Sequence, residues 1–75
     1  MYVHTLEFVD TSRLASAFER IASDEQVEDC LVETSQMRIR FVAPPERAAW
    51  LIERIYQDGG LRFSQRHRVE RGIPA

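Results

Sequence analysis

Apolar and polar positions alternate along the first stretch of the chain, with Tyr2, His4, Leu6 and Phe8 on one side and Val3, Thr5, Glu7 and Val9 on the other. That period of two, together with the β-branched and aromatic content, predicts a strand. Asp10, Thr11 and Ser12 are helix-capping residue types, and behind them Leu14, Ala17, Phe18, Ile21 and Ala22 recur at the spacing of one helix face. The spacing predicts a helix over about residues 12–23.

An acidic segment at 23–26 breaks the period, and residues 27–34 and 37–42 read as two extended runs joined at Ser35 and Gln36, a hairpin. With that loop Thr34 lies opposite Met37, Val32 opposite Ile39 and Cys30 opposite Phe41, which builds an apolar row. The other side then pairs Glu33 with Arg38. Ala43, Pro44 and Pro45 stop the strand, and a proline followed by Glu46 suits the start of a second helix. Its apolar stripe is Ala48, Leu51, Ile52 and Ile55 with Tyr56 on the flank, and Asp58, Gly59 and Gly60 end it. Leu61 to Val69 alternates again as a last strand, so one domain spans residues 1–70 and residues 71–75 form a flexible tail.

The order β-α-β-β-α-β resembles the ferredoxin-like split βαβ architecture of the α+β class. The resemblance implies a four-stranded antiparallel sheet ordered fourth, first, third, second, with both helices on one face and the other face open. It is one of architecture and carries no motif, and this fold hosts unrelated functions. Function has to be sought on the surfaces.

Composition narrows the classes. The chain has 75 residues, enough for one thin core, and 44% apolar with 29% charged residues excludes a disordered or fibrous chain. All ten basic residues are Arg, and the absence of Lys removes Schiff-base and P-loop chemistry. Through Gly60 six Arg stand against eleven acids (−5), and beyond it four Arg stand against Glu70 (+3), so the tail is the basic end. Cys30 is the single cysteine, which excludes an internal disulfide and a spaced-cysteine zinc framework. The N-terminal MYVHTLEF has no basic n-region, continuous apolar h-region or small-residue cleavage site, so no leader is expected, and no apolar run approaches the roughly 18 residues of a membrane span. A cytoplasmic protein is expected.

The candidate chemistry lies on two surfaces. With Leu6, Phe8, Cys30, Val32, Met37, Ile39, Phe41, Leu61 and Phe63 turned to the helices, the open face takes Val3, Thr5, Glu7, Val9, Leu31, Glu33, Val42 and Ser64. It also takes Arg38, Arg40, Arg62, Arg66 and Arg68. Five guanidiniums on one face are an electrostatic footprint for phosphates, but the face lacks aromatic platforms for bases, and Glu7 and Glu33 suit a solvated or protein-contact face equally well. On the second helix a step of 100° per residue places Trp50 opposite the core stripe, between Arg47 and Arg54. It is expected to be exposed, either facing a partner or covered by the tail or a loop.

His4 and His67 are expected side by side on helix-facing rows, but a third metal ligand is wanting because Cys30 lies on the far edge strand. No metal site is expected. There is no nucleophile elbow, HExxH or Gly-rich loop, so no catalytic residue and no cofactor are assigned. The expected function is a small non-enzymatic interaction or regulatory module that docks a protein partner or itself through Trp50, Arg47 and Arg54 or through the sheet arginines. The alternatives are a nucleic-acid binder using those sheet arginines and an enzyme assembled as a dimer.

Overall fold

The computed structural model describes residues 2–68. Strand β1 is Tyr2–Phe8, helix α1 Thr11–Ala22, β2 Asp29–Glu33, β3 Arg38–Val42, α2 Pro45–Asp58 and β4 Leu61–Arg68. Val69 and the expected tail at 71–75 lie outside the described residues. The sheet is antiparallel in the order β2-β3-β1-β4, an α+β fold consistent with the ferredoxin-like arrangement.

Local chemistry accounts for the element ends. Asp10 is extended at φ −154° and its carboxylate accepts the Arg13 N–H at 2.8 Å, which caps α1. Pro45 opens α2, where its fixed φ fits and its missing N–H would have had no partner. The hairpin keeps the expected register, with Cys30 opposite Phe41, Val32 opposite Ile39 and Glu33 opposite Arg38. Its loop is longer than expected: Thr34–Gln36 form a 3₁₀ turn and Met37 is left-handed at φ 51°. Thr34 and Met37 are therefore turn residues, held by a Met37 N–H bond to the Thr34 carbonyl at 3.1 Å. A two-residue loop requires the positive φ angles that Gly and Asn supply, and Ser35 and Gln36 supply neither.

Leu6, Phe8, Ile39 and Phe41 from the sheet pack against Leu14, Ala17 and Ile21 of α1 and Ala48, Leu51 and Ile55 of α2, all of them buried. The buried line of α1 is narrower than its apolar stripe. Phe18 is 37% exposed, and with Ala22 it borders a shallow groove against Val27 and Cys30 at the β2 edge. Tyr56 is fully outside at 67% exposure.

Strand β4 departs furthest from the expected pattern. Phe8 is opposite Leu61 but Glu7 is opposite Phe63, so Arg62 is the extra residue of a β-bulge. One extra residue inverts the alternation that follows. Ser64, Arg66 and Arg68 therefore lie on the helix side, opposite Leu6, His4 and Tyr2, while Phe63, Gln65 and His67 join the open face. Phe63 is 44% exposed rather than buried, and every residue from Arg62 to Arg68 is exposed.

The bulge begins where α2 ends on Gly59 at φ 89° and Gly60 at φ 86°. A Cβ on Gly60 would collide with the Arg13 side chain, whose Nη1 donates to the Asp58 carbonyl at 2.8 Å. Gly60→Ala should therefore lower stability by about 1–2 kcal/mol in denaturant melts, the usual penalty for left-handed backbone outside glycine. Gly59→Ala meets open space at its Cβ position, but φ 89° with ψ 164° is a conformation almost confined to glycine, so it should cost about 1–3 kcal/mol by backbone strain alone.

Candidate docking surfaces

Trp50 stands outward on α2 at 43% exposure, as the helix spacing predicts, and Arg47 and Arg54 flank it one turn away on each side. The Arg47 guanidinium carbon lies 4.1 Å from the indole centroid and that of Arg54 5.1 Å, both within cation–π range. Arg47 is itself anchored. Its Nε donates to Asp24 Oδ2 at 2.8 Å and its Nη2 lies 2.7 Å from the same oxygen, while Asp24 Oδ1 accepts the Gln26 N–H at 2.9 Å. The Asp24 side chain is only 5% exposed, and the Arg47 hydrogen bond, followed by that from the Gln26 backbone, holds its carboxyl below the usual carboxylate range.

The turn after α1 thus fixes Arg47, and Arg47 fixes the indole. Between that turn and α2 runs an open groove of about 500 Å³ lined by Arg20, Ser23, Asp24, Glu25, Arg47 and Trp50. Arg20, one of its lining residues, is paired with Asp58 at 2.9 Å. Trp50, Arg47 and Arg54 were legible from helix spacing, but Asp24 was not, because its link to Arg47 joins two segments 23 residues apart.

The sheet arginines are not brought together. Across the open face one row reads Glu33, Arg38, Glu7 and Phe63, and the next Leu31, Arg40, Thr5 and Gln65. Arg38 Nη2 donates to Glu7 Oε2 at 3.0 Å and its Nη1 lies 3.7 Å from Glu33 Oε1, which also sits 3.4 Å from Arg40 Nε. Two arginines and two glutamates form a neutral ladder, half-buried except at the exposed Arg40. The contacts to Glu33 do not make hydrogen bonds, which leaves its Oε1 buried without one, and Arg38 Nε is likewise buried without a partner.

Arg62 sits in the bulge, and Arg66 and Arg68 belong to the helix side, where the Arg66 guanidinium lies 4.8 Å from the Tyr2 ring centroid. The expected five-arginine face therefore does not exist. Phe63 and His67 are instead the aromatic rings of the open face.

The histidines separate for the same reason. His4 pairs with Arg66 across the sheet, whereas His67 pairs with Val3 on the opposite face. His4 is 3% exposed and stacks on Phe41 with centroids 5.2 Å apart, and neither ring nitrogen has a hydrogen-bond partner. Among the described residues no group of three His, Cys, Asp or Glu is placed to hold a metal ion.

Burial, and then the nearby Arg66 charge, push the His4 pKa below its ordinary value of 6.5. The unfolded chain therefore takes up a proton at this site before the folded one does. His4 contributes stability above pH 6.5 that is lost as pH falls towards the depressed folded value. Urea melts across pH 7 to pH 5 should show a slope no steeper than about 1.4 kcal/mol per pH unit from this residue. His4→Leu should flatten the profile. At the other surface, Asp24→Asn should free Arg47 and raise the quenching of Trp50 fluorescence by acrylamide at neutral pH. The chain matches no family model, no curated protein and no solved structure, so its surfaces are interpreted from their own geometry.

Proposed function

We propose that this chain is a non-enzymatic docking module that binds a protein partner by burying Trp50 between Arg47 and Arg54. The observation that carries the reading is an exposed indole held in place by two guanidiniums, one of them tethered to a nearly buried carboxylate. Tryptophan and arginine dominate binding hot spots because they remove much surface from water at few rotatable bonds. Fixing them before contact reduces the ordering entropy that association must otherwise overcome. The adjoining groove supplies polar groups at the rim, as protein interfaces do.

The nucleic-acid alternative draws less support, since Arg38 and Arg40 are neutralised by Glu7 and Glu33 and the other sheet arginines face elsewhere. No helix among the described residues is long and apolar enough to cross a membrane. We place the activity in the cytoplasm, where a lone thiol such as Cys30, pushed up by burial, stays reduced and protonated.

Trp50→Ala should change folding stability by no more than about 0.5 kcal/mol, as at other surface sites. It should weaken partner binding by about 2 kcal/mol or more. Proteins co-purified with the tagged chain from its own cells should be lost with Trp50→Ala and kept with Tyr56→Ala, which changes another exposed aromatic of α2. Titration of a recovered partner should shift the emission of the single tryptophan to the blue. A variant that unfolds, or that retains every partner, rejects the reading.

A further inference from the structure

The two edges of the sheet carry opposite charge. β4, from Leu61 to Arg68, carries Arg62, Arg66 and Arg68 and no acid. The segment from Glu28 through β2 holds no base, and its acids Glu28 and Asp29 stand outside the ladder in which Arg38 and Arg40 neutralise Glu33. Among the described residues each edge strand has one neighbour only, β4 pairing β1 and β2 pairing β3. Alternate backbone N–H and C=O groups of such a strand point away from the sheet and can take another strand.

We propose that β4 of one copy of this chain pairs with β2 of a second copy, extending the sheet head to tail. Three observations support this arrangement. The first is direction: strands alternate antiparallel across β2-β3-β1-β4, so β4 runs antiparallel to β2. A second copy placed beside the first in the same orientation therefore continues the alternation and keeps all helices on one side. The second is charge. Two β4 edges repel one another and so do two β2 edges, whereas unlike edges attract, so charges that would ordinarily protect an edge select this one pairing.

The third is register. Residues opposite one another must share a face. The bulge at Arg62 leaves Phe63–Arg68 as the regular part of β4, long enough for the whole of β2. Setting Leu31 of the second copy opposite Gln65 satisfies both conditions. Asp29 then faces His67, Glu33 faces Phe63, and Glu28 at the strand entry faces Arg68. On the open face Leu31, 55% exposed, becomes a diagonal neighbour of Phe63, 44% exposed, and each covers apolar surface of the other. The contact is heterologous, with different surfaces meeting, so growth does not stop at a dimer unless a ring closes.

This surface is separate from Trp50, and the test keeps them apart. Sedimentation velocity of the full chain from low micromolar to submillimolar concentration should show mass rising beyond a dimer at low salt and falling in 1 M NaCl, where charges are screened beyond about 3 Å. Arg66→Glu with Arg68→Glu, and separately Glu28→Arg with Asp29→Arg, should each weaken self-association about tenfold or more. All four positions are exposed, and circular dichroism checks that each variant folds. Mixing the two variants should restore assembly, because each then offers an edge of the sign the other needs.

Should the first variant fail to fold, Arg68→Glu alone serves in the same mixture. Trp50→Ala should assemble like the unaltered chain. A monomer at every concentration, assembly indifferent to both charge reversals, no rescue on mixing, or loss of assembly with Trp50→Ala would each overturn the proposal.

Discussion

The apolar contact of the two helices with β1 and β3 is the interaction on which the rest of the molecule depends. Leu6, Phe8, Ile39 and Phe41 meet Ala48, Leu51 and Ile55 of α2 and the Leu14, Ala17 and Ile21 line of α1, and these residues with Ala43 are the buried core among the described residues. A chain of 75 residues has no second core to add. The helices reach the middle of the sheet, leave β4 bare on both faces beyond Leu61, and leave Phe18 at the rim of β2. Because no helix demands apolar residues from the last strand, a bulge there is tolerated, and Ser64, Arg66 and Arg68 can occupy positions that would otherwise be core.

Charge is organised around that core rather than spread over it. On the open face Glu7, Arg38, Glu33 and Arg40 neutralise one another, and at the helix side Arg20 pairs with Asp58 and Arg47 with Asp24. Exposed ion pairs contribute little to stability, so their main effect here is positional. The Asp24–Arg47 link joins the turn after α1 to α2 and orients an indole that would otherwise sample several rotamers. At the sheet edges Glu28 and Asp29 on the β2 side and Arg62, Arg66 and Arg68 on β4 stand outside these pairs. The molecule therefore presents one preformed apolar contact point on a helix and two strand edges of opposite sign.

Periodicity, capping residues and the two glycines determined the six elements, the hairpin register and the outward position of Trp50, because each follows from interactions over a few residues or from a single apolar stripe. The strand order came from the architectural resemblance that the element order carries. Tertiary structure alone decided the faces of β4. A period-two pattern cannot reveal one inserted residue, and the choice between Phe63 inward and Phe63 outward was made by the Gly60–Val9 and Phe8–Leu61 pairings at the entry to the strand. With that choice went the five-arginine face, the side-by-side histidines and the burial of Phe63. The Asp24 anchor was likewise invisible in the sequence, since a surface carboxylate acquires its partner only when folding brings a distant helix to within hydrogen-bond range.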